Sequence, residues 1–173
     1  MESDEITAQI RGWFTGRLPE GWFTGPPEIV RDREEIAVFG TLPEPPGDLP
    51  EAERAALVDG LIRRFREETR ERRIEIAKEA ERAFRQKVSW GVVCGDQTVT
   101  FTTLSVPVMT RLRQTERQVL DTLVAAGVAR SRSDALAWCV RLVGKNTDTW
   151  LAELRDALQH VDRVRSAGPD VRS

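Results

Sequence analysis

The chain has a single histidine, His160, and two cysteines, Cys94 and Cys139, in 173 residues. One histidine excludes any mechanism that needs a histidine pair within one chain, and any histidine-rich metal site. The cysteines stand 45 positions apart and belong to no Cys-x-x-Cys pair. That argues against a disulfide framework and a thiolate metal centre, and both are read as small buried apolar residues. Long apolar runs are missing too, since no stretch approaches the roughly 20 residues that cross a bilayer. The acidic start, Met1-Glu2-Ser3-Asp4-Glu5, lacks the basic and apolar regions of a signal peptide, so the expectation is a cytoplasmic protein with no membrane partner. There is no glycine-rich phosphate loop, no paired metal ligands and no nucleophile elbow. Cys94 and the lone His160 are too far apart in sequence to be read as nucleophile and base. No enzymatic activity, catalytic residue, metal or cofactor is expected.

What is present is a globular composition, 40% hydrophobic and 31% charged with a net charge of −2, long enough for one ordinary domain or two small ones. The charge is uneven. Residues 1–50 carry four basic and ten acidic side chains, whereas residues 103–147 carry seven basic and three acidic. A nucleic-acid face needs only local positive potential, and 103–147 is the one block that offers it.

Residues 1–50 read as an aromatic, proline-rich arm with a short hairpin. Gly12-Trp13-Phe14-Thr15-Gly16 repeats as Gly21-Trp22-Phe23-Thr24-Gly25, a local duplication followed by Pro26-Pro27. Ile29 to Arg31 and Ile36 to Phe39 flank the polar Asp32-Arg33-Glu34-Glu35 and read as a hairpin, and the run from Pro43 to Pro50 reads as a linker. Residues 51–106 read as a helix-plus-hairpin module. From Glu51 to about Lys87 there is no proline and only one glycine, Gly60. The apolar positions form two patches separated by the charged run Arg66 to Arg73, so the segment is either one long helix solvated in its middle or two helices meeting near Thr69. Val88 to Cys94 and Thr98 to Leu104 alternate about Gly95-Asp96-Gln97, a second hairpin whose apolar face the helix patches would cover.

After Pro107 comes a short extended stretch, Val108 to Gln114. Thr115-Glu116-Arg117-Gln118 reads as a capping box opening a helix striped by Val119, Leu120, Leu123 and Val124 and ending at Gly127. Ser131-Arg132-Ser133-Asp134 caps a second helix, apolar nearly all round, which in a small protein points to burial at a subunit interface. Residues 146–173 read as an amphipathic helix and tail, with Trp150, Leu151, Leu154, Ala157, Leu158, Val161 and Val164 extending that interface and His160 beside the stripe.

Strand, helix, polar turn and apolar helix in this order resemble the ribbon-helix-helix DNA-binding family, the class of the Arc and MetJ repressors and of many antitoxins. The resemblance covers about residues 108–144, within a unit read as 107–145, and lies most in Arg111-Leu112-Arg113 and in the run Gly127 to Leu136. It implies that two chains pair their strands into an antiparallel ribbon that enters the major groove of double-stranded DNA. With a period of two, Thr110 and Leu112 share one strand face and Met109, Arg111 and Arg113 the other. On the resemblance, Met109, Arg111 and Arg113 then contact base edges. Arg130, Ser131, Arg132 and Ser133, at the start of the second helix, contact a phosphate. Leu112, Leu120, Leu123, Leu136, Trp138, Val140 and Val143 form the dimer core. The expected fold is therefore α+β and dimeric: an N-terminal hairpin, a long helix and a second hairpin, then the ribbon-helix-helix unit and a C-terminal helix.

The expected function is a homodimeric or higher homo-oligomeric, sequence-specific DNA-binding protein, a transcriptional regulator. The alternative is a non-enzymatic dimeric adaptor, including an antitoxin-like form, that presents Trp13, Phe14, Trp22 and Phe23 to a protein partner. Against that stands the plainer expectation that one copy of the repeat packs as core while the other is partly disordered.

Overall fold

The computed structural model describes residues 2–167. The fold is α+β, and the chain divides into two compact units, one from Glu2 to Pro107 and one beginning at Val108.

In the first unit both expected hairpins form. β1 (Glu28–Arg31) pairs antiparallel with β2 (Glu35–Thr41), Ile29 opposite Val38 and Arg31 opposite Ile36. Asp32 shapes the turn: its carboxylate accepts the backbone N–H groups of Glu34 and Glu35 at 2.7 and 2.8 Å, which holds it below the usual carboxylate range. β3 (Lys87–Cys94) pairs antiparallel with β4, which is Gln97–Thr100 and not the longer 98–104 expected. The reason is local. The Trp90 N–H is taken by the Thr102 hydroxyl at 3.0 Å, so a side chain replaces the next ladder bond and the chain leaves the sheet.

The hairpins are joined side by side, because β2 runs parallel to β3 with Val38 beside Trp90 and Gly40 beside Val92. A parallel pair needs a long crossover. It is supplied by α2 (Glu51–Glu68) and α3 (Arg70–Phe84), so the two-helix alternative holds, with the break at Thr69. The charged middle is not all solvated. Arg73 is buried, its Nε donating to the Thr69 hydroxyl at 3.0 Å and its Nη2 to the Arg66 carbonyl at 2.9 Å, with its guanidinium 4.8 Å from the centre of the Phe101 ring. The last carbonyls of α2 need donors and sit at the negative end of a helix dipole, so a guanidinium serves there without a carboxylate partner. Burial, then the neighbouring Arg66 and Arg70, push its pKa below the ordinary arginine value.

Residues 1–50 are not an arm separate from 51–106. A helix the sequence reading did not expect, α1 (Glu2–Arg17), places Ile6, Ile10, Trp13 and Phe14 on one face. Ile10 and Phe14 are fully buried among Val38, Ile76 and Trp90, and Arg17 makes a two-pronged bond to Glu79 of α3 at 2.6 and 2.7 Å. The second copy of the repeat is a loop rather than a helix, with Gly21 at φ +81. Nor is it left unpacked: Trp22 and Phe23 lie 5.5 and 5.4 Å from the ring of Phe65. Phe23 also rests on the sheet at Gly40, where an added Cβ would stand 2.1 Å from its ring. The Ile76 and Ala80 patch of α3 and the Val58 and Ile62 patch of α2 cover the sheet as expected. Cys94 is buried among the latter, whereas Cys139 is half-buried.

The second unit contains α4 (Gln114–Ala125), α5 (Arg132–Asn146) and α6 (Asp148–Ala167); the tail expected at 168–173 lies outside the described residues. α4 starts before the expected capping box. Its cap is Arg113, whose N–H is accepted by the Glu116 carboxylate at 2.6 Å, because a carboxylate one turn into the helix is a stronger acceptor than the amide of Gln118. Gly127 ends the helix at φ +75, and Ser131 caps α5 by accepting the Asp134 N–H at 3.2 Å, both as expected.

Gly40→Ala will force the Phe23 ring off the sheet and lower stability by about 1–3 kcal/mol, as overpacked cores do. Urea denaturation of the two proteins measures it, and equal stability would contradict the packing described.

Candidate functional site

The region expected to carry function begins where the sheet ends. From Thr102 to Arg113 no residue is in regular secondary structure, and Arg113 is extended at φ −77 and ψ 171. The segment therefore has not been absorbed as a further strand of the preceding sheet. Leu112 alone of 108–113 is turned in: it packs on the cluster of Leu120, Ala129 and Ala135. Arg111 and Arg113 on either side of it are exposed, Met109 is 95% exposed and Val108 86%. Met109, Arg111 and Arg113 are thus exposed, but so are Val108 and Thr110, so the exposure does not alternate with the expected period of two.

Two contacts that sequence reasoning missed hold this arrangement. Arg117, one turn into α4, donates from Nη1 to the Leu112 carbonyl at 2.6 Å and so ties the extended segment to the helix. Arg132 grips Asp121 of α4 with both prongs, at 2.6 and 2.7 Å. Their sequence signals were an arginine one turn after the cap and an acid–base pair straddling the polar turn. The Arg132 pair holds Asp121 below, and Arg132 above, its usual value, in each case first through the side-chain hydrogen bond.

The expected phosphate contacts come together at the start of α5 with different freedom. Arg130 is exposed, with its guanidinium 3.8 Å from Asp134, and Ser133 is exposed. The Ser131 hydroxyl is engaged as the cap and Arg132 is engaged with Asp121. An open hollow of about 340 Å³ lies between Val108, Met109 and Leu112 on one side and Leu120, Ser133 and Leu136 on the other. Of the expected dimer core, Leu120 is buried and Leu112, Leu123, Leu136 and Trp138 are half-buried, but Val140 and Val143 on α5 are 66% and 52% exposed.

The aromatic repeat is divided between roles. Phe14 is sealed in the core, and Trp13, half-buried, packs on Phe84 at 5.7 Å. Trp22 lines a cavity of about 500 Å³ with Leu42, Arg64, Phe65 and Glu68. Among the described residues no group of three histidine, cysteine or acidic side chains could hold a metal, and no helix is long and apolar enough to cross a membrane. His160 is exposed on α6.

Comparison with known proteins matches residues 8–100 to the N-terminal domain of Rv1265-like proteins and residues 113–165 to the Mb1296 C-terminal domain. Relatives include the proteins named Uncharacterized protein Mb1296, of Mycobacterium bovis, and Uncharacterized protein Rv1265, of Mycobacterium tuberculosis. Each is 58% identical over 159 residues, covering 92% of this chain and 70% of the relative. No solved structure matches. The two matched stretches fall one in each compact unit.

The Asp121–Arg132 pair gives a pH signature. Because the folded-state pKa of Asp121 lies below the ordinary 3.8, its contribution is present above that value and is lost as pH falls through the folded-state value. Asp121→Asn should therefore unfold at a lower temperature than the wild type at neutral pH, the two converging in acid. A difference that stays constant into acid would mean that the ionised pair is not its source.

Proposed function

The chain belongs to the family of Rv1265-like proteins, and from that premise we propose that it is a homodimeric, sequence-specific DNA-binding protein, a transcriptional regulator. The observation that carries the reading is the segment before α4, which lies outside the sheet with Leu112 turned in and Met109, Arg111 and Arg113 turned out. Two copies pair residues 108–113 as an antiparallel ribbon, which satisfies their backbone donors and acceptors and gives an element that fits a major groove. Arg111 and Arg113 donate to guanine O6 and N7, and Met109 lies against the base edges. The second copy fills the hollow beside Leu112 and covers Val140 and Val143, the part of the expected dimer core that one chain leaves exposed. A phosphate sits at the start of α5, held by backbone amides, Ser133 and Arg130. Arg132 reaches it only by leaving Asp121. No catalytic step belongs to this reading.

An adaptor that presents the aromatic repeat to another protein draws less support. Deleting residues 1–27 would remove Ile10 and Phe14 from the core, not a free arm.

The test is retention of sheared genomic DNA at two salt concentrations by the wild type and by Arg111→Ala/Arg113→Ala. The wild type should select particular fragments, more weakly at higher salt. The double variant should keep its circular dichroism and mass while losing about 1–3 kcal/mol of discrimination for each side chain removed. Unaltered selection by the variant would sink the proposal.

A further inference from the structure

The 20-residue helix α6 carries an apolar stripe that its own chain leaves uncovered. Trp150 is 56% exposed, Leu154 41%, Leu158 62%, Val161 48% and Val164 60%. With Leu151 and Ala157 they recur every three or four residues from 150 to 164, a stripe about 21 Å long at 1.5 Å per residue. In heptad terms Leu151, Leu154, Leu158 and Val161 occupy the two seam columns, and Trp150, Ala157 and Val164 make a third column beside them. Two columns suffice for a pair of helices. A third widens the face to what a helix buries in a bundle.

The polar face narrows the occupant. Among its described side chains, the acids Asp148, Glu153 and Asp156 alternate with the bases Arg155 and Arg163, so the face is of mixed sign, while Arg165 follows Leu158 by seven residues and ends that seam column. A helix made for an anionic lipid surface or for DNA would be basic on that face, and one of either sign would repel its own copy. This one does neither. The stripe also follows α5, whose Val140 and Val143 are exposed, after a single intervening residue, Thr147.

We propose that α6 is a self-association face, its stripe packing against the α6 stripe of a second copy of this chain along a seam separate from the extended segment. Where the ribbon also forms, the assembly is a tetramer, two DNA-reading pairs joined through α6. Apolar burial drives the seam, so it survives salt that weakens charge-driven contacts.

Sedimentation equilibrium of the full chain without DNA, at low salt and at about 1 M salt, tests this. Leu154→Glu/Leu158→Glu should have half the wild-type mass at both salts with unchanged helix content, while Asp156→Asn, on the polar face, keeps the wild-type mass. Leu158→Gln, which retains helix propensity, should weaken association by roughly tenfold or more without unfolding α6. The halving is read from whatever mass the wild type has, tetramer to dimer if the ribbon forms and dimer to monomer if it does not, so failure of the ribbon is distinguishable from failure of the α6 seam. A double variant with wild-type mass, a monomeric wild type, or a stripe that binds phosphatidylcholine vesicles with no effect on mass would overturn the proposal.

Discussion

Leu112 against Leu120, Ala129 and Ala135 is the contact that anchors the segment before α4, on which the proposed DNA-reading surface depends. Side chains alternate along an extended chain, so anchoring one of them decides the facing of its neighbours, and a slip of one residue would turn both arginines inward. The anchor is reinforced on the backbone, where Arg117 holds the Leu112 carbonyl and Glu116 holds the Arg113 N–H. Glu116 and Arg117 at the start of α4, with Leu120 one turn further on, thereby hold the end of a segment that is in no strand.

Within the first unit the sheet ends before that segment begins. The parallel pairing of β2 with β3 makes a four-stranded sheet with β4 at one edge, and the Thr102 hydroxyl ends β4 by taking the Trp90 N–H. The same parallel pairing demands the crossover through α2 and α3, and the crossover bends at Thr69, where Arg73 donates to the Arg66 carbonyl and to the Thr69 hydroxyl. One carbonyl oxygen, one hydroxyl and an aromatic face together hold the buried charge.

Much of this was legible in the sequence. Turn residues marked both hairpins, Gly127 and Ser131 marked the joint between α4 and α5, and the split apolar patches allowed for a break near Thr69. The helix α1 was concealed by the repeat itself. One Gly-Trp-Phe-Thr-Gly copy is helical and the other is a loop, so the pentapeptide decides nothing; the deciding signal was Ile6 and Ile10 at helical spacing before the first copy, against Gly-Pro-Pro after the second. In the site, the inward packing of Leu112 was legible as the one apolar residue between two arginines, whereas the exposure of Thr110 on its face was not, and neither was the engagement of Arg132 with Asp121. Those residues are eleven positions apart across a turn, and only the packing of α5 on α4 brings them together.

If the segment before α4 reads base edges from the major groove, as proposed, guanine N7 is the atom that reports it. DNA fragments retained by the protein can be methylated sparsely at N7 and offered again. Methylation at particular guanines is then expected to exclude fragments from the bound fraction, since arginine donors meet a blocked acceptor. Bound and unbound fractions with the same methylation pattern would contradict it, and would leave a protein that holds only the phosphate backbone or does not use this segment on DNA at all.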